Sequence, residues 1–492
     1  MKVTKVKLTP AEVSLDMGDG SERAFYVNQD YILRRLNKLH RGISLMYTYY
    51  PKEPTWPTRA SIAFPKNKDG GAWNFSYEDY FPYEGGLDGT RDGEPFKFMK
   101  EIRQRGMDVV LTLTIDPKLE DKYLISVAKD LRPYGRILLR VNHECTGNWF
   151  CYDKRASYQE LADFFVRVAN IMHEYAPNVK IILCAGMYEE ETGKLEMEDI
   201  FLEAHKVADI WSGDNYLSLH WGWPNDIAEK ENALISHSNF GADTVYKKAK
   251  ATLHRLREIT GQDKPFVLSE LNADGDVAGA FEQAQTVHRF MELLEKDKEK
   301  WLSAFTLYQF RDDGRLGLEI TDPNNPDVGI EQPGFQTYKQ DAHKDFFSAK
   351  SIPDGEIELP AKLRWGGSED AEGVEIPLHF EKAPVFAELY FKDKLVDMNL
   401  VIEFGGYWFY KKPGNNFVDL MTYFFENPVR KPKKPFDMKL HIYCPPESGL
   451  NMPENGEPDT APDGDWMTNY YTVLPSLPEI RLRFEEPFPS KK

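Results

Sequence analysis

The sequence predicts a (β/α)8 barrel, the α/β fold often called a TIM barrel, followed by a C-terminal all-β domain of sandwich type. Short apolar or β-branched runs alternate with amphipathic stretches over residues 40–310, as is typical of parallel α/β folds. Eight such runs fit within about 270 residues, the usual span of a closed barrel. Beyond residue 350 the helical pattern stops, and alternating runs separated by Pro and Gly clusters take its place.

The barrel is expected to contain eight strands joined by amphipathic helices. The predicted strands are residues 42–48, 61–64, 108–114, 136–142, 180–186, 208–216, 265–271 and 302–309. Apolar residues recurring at three- and four-residue steps predict helices over residues 158–175, 244–259 and 280–294. We expect the first 40 residues to form a small hairpin and a helix that close the bottom of the barrel.

The C-terminal part is predicted to be a separate β-rich accessory domain. We expect residues 1–350 to form the barrel with an N-terminal extension, and residues 351–492 to form the accessory domain. Strands are predicted over residues 374–380, 385–391, 400–404 and 438–443, and a long loop over residues 445–464. Trp365, Tyr407, Trp408 and Tyr410 are expected to be exposed, and they suit either bracing of the barrel, which we favour, or ligand binding.

Composition excludes several classes of function. Of the 492 residues, 41% are hydrophobic and 28% charged, which suits a globular chain with a large core. The 61 basic and 79 acidic residues give a net charge of −18, and so acidic a surface repels both nucleic acid and anionic lipid. No run approaches the roughly 18 apolar residues that would span a bilayer. We therefore expect a soluble monomer or small homo-oligomer with no nucleic-acid or membrane partner.

The N-terminus and the cysteines limit the choice of compartment and cofactor. The first 20 residues lack the apolar stretch of a secretory signal, so the chain is expected to be cytoplasmic, or secreted with its signal already removed. Four cysteines without a CxxC pair predict neither a disulfide framework nor a zinc site. The absence of GxSxG, GxGxxG and P-loop motifs argues against serine hydrolase chemistry and nucleotide cofactors. We expect no metal and no cofactor.

Polar residues crowd the end of the fourth predicted strand. The segment RILLRVNHECTGNWF places Asn142, His143 and Glu144 directly after an apolar run, followed by two aromatic residues that include Trp149. A simpler interpretation is that Glu144 caps the next helix or pairs with Arg140.

A second strand ends in the same way. The segment PFVLSELNADGD carries Glu270 at the end of predicted strand seven. In a barrel, the C-terminal ends of strands four and seven open on the same mouth. Two carboxyl groups facing each other across an aromatic-lined cleft are what glycosidic bond cleavage requires. The protonated group needs a pKa raised by burial or a neighbouring negative charge.

The strand-four segment resembles glycoside hydrolase family 26, within clan A of the retaining (β/α)8 glycoside hydrolases. The family pattern is Arg, two residues, His-Glu, then Gly and Trp-Phe, which RVNHECTGNWF follows. Asn142 stands two residues before Glu144 rather than directly before it, which favours family 26 within the clan. The resemblance implies a retaining mechanism with Glu144 as general acid/base and Glu270 as nucleophile, with His143 beside the acid/base and Trp149 as a sugar platform. Members act on β-mannans, β-1,3/1,4-glucans or β-1,3-xylan.

Further candidates for substrate contact follow other strands. Tyr216 ends predicted strand six and could bond the nucleophile, and Trp221 and Trp223 in the next loop could stack on sugar rings or simply cover the core. Tyr308 ends strand eight. Together with Arg140, Asn142, His143 and Trp149, these residues are the predicted substrate-binding set.

Three functional hypotheses remain open at this point. The first is an endo-acting retaining glycoside hydrolase on a β-linked polysaccharide. The second is an exo-acting β-glycosidase on short oligosaccharides inside the cell. The third is a non-catalytic carbohydrate-binding protein on a barrel scaffold.

Overall fold

The computed structural model describes residues 1–18, 27–63, 80–220, 237–312, 316–427, 434–451 and 470–484. The strands are β1 Lys2–Thr9, β2 Ser14–Gly18, β3 Gly42–Tyr49, β4 Phe81–Pro82, β5 Asp108–Ile115, β6 Ile137–Val141, β7 Val179–Cys184, β8 Tyr188–Glu189, β9 Lys194–Leu195, β10 Ile210–His220, β11 His237–Asn239, β12 Phe266–Ala273, β13 Ala304–Leu307, β14 Arg311–Asp312, β15 Glu319–Asp322, β16 Asn325–Glu331, β17 Lys350–Glu358, β18 Ala361–Gly367, β19 Asp370–Phe380, β20 Phe386–Tyr390, β21 Leu400–Phe404, β22 Tyr407–Lys411, β23 Phe417–Asp419, β24 Phe436–Tyr443, β25 Tyr470–Leu474 and β26 Glu479–Arg483. The helices are α1 Gln29–Leu36, α2 Trp56–Ala63, α3 Phe96–Gln104, α4 Asp121–Leu131, α5 Tyr158–Tyr175, α6 Glu198–Val207, α7 Ala242–Thr260, α8 Gly275–Ala278, α9 Ala280–Lys296, α10 Pro333–Ala342 and α11 Met421–Glu426.

Eight parallel strands close into a barrel. The order is β2, β3, β5, β6, β7, β10, β12 and β13, and β13 pairs back with β2. The predicted (β/α)8 fold is therefore confirmed. The three predicted helices correspond to α5, α7 and α9. Helix α5 begins with a capping box in which Ser157 and Glu160 satisfy each other's backbone N–H groups.

One predicted strand is wrong, and one barrel strand was missed. Residues 61–63 of the predicted second position lie in α2, a helix with Pro57 in its first turn, where the missing N–H costs no hydrogen bond. The first barrel strand is instead β2, which carries the buried Asp16 and pairs with Gly42–Ser44 of β3. The two errors offset each other in the count, so Glu144 still follows strand four and Glu270 still lies on strand seven.

Two antiparallel sheets form the accessory part, as far as its residues are described. The larger follows the order β17, β1, β19, β24, β21 and β22, with β18 and β25 attached, and the smaller is β23, β20 and β26. Alternate residues such as Leu389, Ile402 and Leu440 are fully buried and build a core of their own. The all-β prediction is thus confirmed, although residues 452–464 of the predicted loop lie outside the described residues.

The N-terminal segment differs from its prediction as a barrel plug. Strand β1 pairs with both β17 and β19, so residues 2–9 belong to the accessory sheet rather than to a hairpin below the barrel. The boundary at residue 350 stays a prediction. Residues 2–9 precede it in the sequence but pair with strands β17 and β19 of the accessory sheet.

The barrel and the larger accessory sheet share packed side chains. Trp365, Trp408 and Tyr443 lie in the same core cluster as the barrel residues. A Cβ added to Gly106, two residues after the end of α3, would approach the Trp365 ring to 3.0 Å. The prediction that Trp365 and Trp408 are exposed is wrong, because both rings are buried against the barrel. Among the helices described, none is both long and apolar enough to cross a membrane.

Candidate functional site

The loop after β6 is set by two residues in left-handed backbone conformations. Asn142 has φ 42° and Glu144 has φ 53°, a region that residues other than glycine adopt at some cost. The Asn142 side-chain carbonyl accepts from the Ile115 N–H over 2.6 Å, and its amide donates to the Ile115 carbonyl over 3.1 Å. Asn142, predicted to bind substrate, is therefore bound to the neighbouring strand β5, where it holds the turn that presents Glu144.

Glu144 is half-buried and accepts a side-chain hydrogen bond. The indole N–H of Trp149 donates to its Oε2 over 2.8 Å. Burial, and then the negative charges of Asp214 and Glu270, raise the pKa of Glu144 well above its usual range, against the opposing hydrogen bond from Trp149 and the charge of Arg140. A Cβ on Gly147 would come within 2.5 Å of the Trp149 ring, so glycine leaves the room that this indole occupies.

Glu270 is more buried, and donors reach both of its carboxylate oxygens. Arg140 Nη2 donates to Oε1 over 2.6 Å, and the Tyr216 hydroxyl donates to Oε2. His143 Nε2 lies 3.8 Å from Oε1. The predicted contact between Tyr216 and this carboxylate is present in the structure. An ionised carboxylate can only accept hydrogen bonds, and both oxygens of Glu270 accept one from a neighbouring donor.

His143 is buried between the loop and the aromatic side chains around it. Its ring centroid lies 4.5 Å from that of Phe150, and the Tyr152 hydroxyl donates to its backbone carbonyl. Burial, followed by the charge of Arg140, lowers the pKa of His143 well below its usual range. The imidazole is therefore neutral near pH 7.

Arg140 links β6 to three other strands of the barrel. Its Nε donates to Thr112 Oγ1 over 2.8 Å, and its Nη1 donates to the two carboxylate oxygens of Asp214 over 2.9 and 2.7 Å. Asp214 on β10 stands beside Glu270 on β12 in the parallel register. Arg140 was predicted to contact substrate. In the structure its guanidinium donates hydrogen bonds to Thr112, Asp214 and Glu270.

Aromatic residues line the cleft near the two glutamates. The Tyr216 and Tyr308 rings meet edge to face with centroids 6.2 Å apart, and Tyr80 lies 6.2 Å from the His143 ring. Tyr308 is positioned by Asn272, whose amide donates to the Tyr308 carbonyl over 2.8 Å. Trp221 and Trp223 lie outside the described residues.

The sequence did not single out Tyr80 or Thr112 as site residues, and it gave Asp214 no role. Tyr80 precedes a two-residue strand and follows no barrel strand directly, so strand-end inspection could not find it. Thr112 lies inside β5, where a β-branched residue is expected for packing alone. Asp214 stood at a predicted strand end, and that signal could have found it.

One nitrogen and two carboxylate groups converge beside Glu144. Atoms of His143, Asp214 and Glu270 lie within 4.8 Å of one another. The guanidinium of Arg140 bonds both carboxylates, so the protein itself supplies a positive charge to this cluster.

No protein-family model and no curated protein sequence matches this chain. A glycoside hydrolase family 26 β-mannanase from Bacteroides ovatus is 12% identical, with a TM-score of 0.41 over 68% of this chain and 90% of that one. A monomeric β-xylosidase from Caulobacter crescentus is 10% identical, with a TM-score of 0.45 over 90% and 98%.

Other solved structures are similar to a comparable degree. An α-L-arabinofuranosidase from Thermotoga maritima is 11% identical, with a TM-score of 0.43 over 90% of this chain and 98% of that one. Family 26 is thus one of several glycoside hydrolase families represented, together with families 39 and 51. At these identities and scores the likenesses assign the chain to no single family.

Proposed function

We propose that the protein is a retaining glycoside hydrolase that cleaves β-linked polysaccharides or oligosaccharides, with Glu144 as general acid/base and Glu270 as nucleophile. The observation that carries the proposal is the difference between the environments of two carboxyl groups in one cleft. Burial and neighbouring negative charges raise the pKa of Glu144, whereas Glu270 receives donors from Arg140 and Tyr216. Environments that separate two carboxyl groups in this way suit an acid and a nucleophile.

The residues would divide the double displacement between them. The proton on Glu144 passes to the glycosidic oxygen as the bond to the anomeric carbon breaks, while Glu270 attacks that carbon and forms a glycosyl ester. Glu144, now ionised, takes a proton from water as the water displaces Glu270. Arg140 and Tyr216 hold Glu270 in place, and Trp149 fixes the carboxyl of Glu144.

Support for a sugar substrate comes from the aromatic side chains and the strand-four motif. Tyr308, Tyr80 and the half-buried Trp149 offer ring faces near the carboxyl pair, and such faces stack on the apolar faces of sugars. The resemblance of the strand-four segment to family 26 suggests β-mannan, β-1,3/1,4-glucan and β-1,3-xylan as the first substrates to assay. A ladder of product lengths would indicate endo cleavage, and a single released sugar would indicate exo cleavage.

The test is a comparison of Glu270→Ala with the wild-type chain. We expect activity to fall on the order of 10⁴-fold because the nucleophile is removed, with the fold unchanged by circular dichroism. Glu282→Ala, an exposed glutamate at the start of α9, is the matched control and should keep full activity. Near-wild-type turnover by Glu270→Ala would refute the assignment.

Azide rescue distinguishes the two roles. With a dinitrophenyl β-glycoside, azide should restore turnover of Glu270→Ala and give the α-glycosyl azide, because azide replaces the missing nucleophile. The same rescue of Glu144→Ala should give the β-glycosyl azide, since the glycosyl ester still forms there. Saturable sugar binding by the wild-type chain with no cleavage would favour a carbohydrate-binding protein instead.

A further inference from the structure

Arg140 is shared by two carboxylates, only one of which has a task in the proposed reaction. Its guanidinium bonds Glu270 through Nη2 and both oxygens of Asp214 through Nη1. The side chains of Arg140 and Asp214 are each only 1% exposed. An ion pair this buried is costly to desolvate and persists only where its geometry is good.

The charges around Asp214 do not balance if every carboxyl group is ionised. The groups that face it are Arg140 on β6, Cys184 on β7, Glu270 on β12, and Glu144 and His143 in the loop after β6. With His143 neutral, Arg140 is the only fixed positive charge among these five groups. Three carboxylates beside one guanidinium favour retention of a proton within the cluster.

We propose that Asp214 is a positioning residue that fixes the Arg140 guanidinium against Glu270 and, through its negative charge, keeps the catalytic proton on Glu144. This inference rests on the proposed function, because it assumes that Glu144 is the acid. Asp214 touches no reacting atom in this scheme and acts through the two glutamates.

The electrostatics of the cluster support this role. Burial raises the pKa of Asp214 to about 7, with Arg140 opposing the rise and Glu270 adding to it. After burial, the charge of Asp214 is the foremost cause of the raised pKa of Glu144, ahead of the charge of Glu270. The protonation of Glu144 is therefore expected to depend on the charge of Asp214.

The direct test measures the Glu144 titration by NMR, without substrate. Chains labelled with ¹³C at the glutamate carboxyl are titrated, and the Glu144 signal is assigned by its loss in Glu144→Gln. In Asp214→Asn, we expect the midpoint of Glu144 to fall by about one pH unit, because a neighbouring negative charge is gone. An unchanged midpoint would overturn the inference.

Two further measurements guard against a variant that fails to fold. In a wild-type chain labelled at both the glutamate and the aspartate carboxyls, the Glu144 signal should show a second inflection where Asp214 titrates, and independent single titrations would overturn the coupling. Asp16→Asn removes the partner of Arg41 in another buried pair, close to the start of β3, and should leave the Glu144 midpoint unmoved.

Activity provides the second readout. The alkaline limb of the kcat/KM profile should move to lower pH by about one unit in Asp214→Asn, and Asp214→Glu, which keeps the charge, should restore the limb at least in part. If the Glu144 midpoint shifts but no β-glycoside is cleaved, the proposed function fails while the coupling stands. If the chain cleaves β-glycosides and the midpoint does not shift, only the role of Asp214 fails.

Discussion

The indole nitrogen of Trp149 lies 2.8 Å from the Glu144 carboxylate, five residues back along the same loop. The contact depends on the left-handed turn at Glu144 and on the missing side chain of Gly147. The tryptophan expected from the sequence to serve as a sugar platform therefore also holds the proposed acid/base.

Trp149→Phe should change the pH dependence of catalysis. The indole donates to the charged form of Glu144 and lowers its pKa, so losing that donor should raise the pKa further and move the alkaline limb of kcat/KM to higher pH. We also expect kcat to fall about tenfold, because the carboxyl is less well oriented. The shift is opposite in sign to that expected for Asp214→Asn, so a shift of both variants in the same direction would contradict the electrostatic account.

His441→Gln should reduce stability in a pH-dependent way. His441 lies between Glu375 and Glu403 on the neighbouring strands, with Lys439 and Tyr443 close by. Burial opposes its charge, but the hydrogen bonds and charges of the two glutamates outweigh burial and raise its pKa above the ordinary 6.5. The stabilisation is thus complete below about pH 6.5, and it is lost as the pH rises through the higher pKa of the folded state.

Urea unfolding at several pH values checks this prediction. At pH 5.5, His441→Gln should lose about 2 kcal/mol of unfolding free energy relative to the wild-type chain, and the difference should shrink toward pH 9. The matched control is His379→Gln on β19, whose bond to Asp437 is mostly exposed and should contribute little. A loss that grows with pH would show that His441 is not held as an imidazolium.

A chain ending at Ala349 should not give a soluble, active barrel. The truncation removes Trp365, Trp408 and Tyr443 from the shared core and leaves β1 without either of its partner strands. We expect aggregation on expression, because the barrel face and a strand edge would be exposed together. Recovery of a soluble and active barrel, measured by sedimentation and turnover, would contradict the bracing role of the accessory part.

The sequence predicted the parts of the fold that depend on local patterns. Barrel strands such as β5, β6 and β7 carry nearly continuous apolar runs, which burial on both faces requires. Strand β2 was not predicted because SLDMG is short and contains an aspartate. The burial of Asp16 depends on its ion pair with Arg41, which lies 25 residues away. The run at residues 61–64 was misassigned because four apolar or small residues do not distinguish a strand from a helix.

The candidate site was predictable only along each strand. Glu144 and Glu270 stood out because each follows a buried run at a place where barrels carry their chemistry. The hydrogen bonds from Arg140 to Asp214 depend on the register of β6, β7 and β10, and no spacing in the sequence predicts that register. The same is true of the hydrogen bond that Asn142 accepts from the backbone of Ile115 on the neighbouring strand.

The pairing of β1 bears on the order in which the chain is assembled. Thr9 and Lys350 are joined across 341 residues, so the first strand leaves the ribosome long before its partners exist. A strand without its neighbours exposes N–H and carbonyl groups that invite pairing with other chains. The eight barrel strands are all synthesised in that interval, before either partner strand of β1. The last stage of folding would then be the insertion of β1 between β17 and β19. This step has a high contact order, and it joins the N-terminal end of the chain to the accessory sheet.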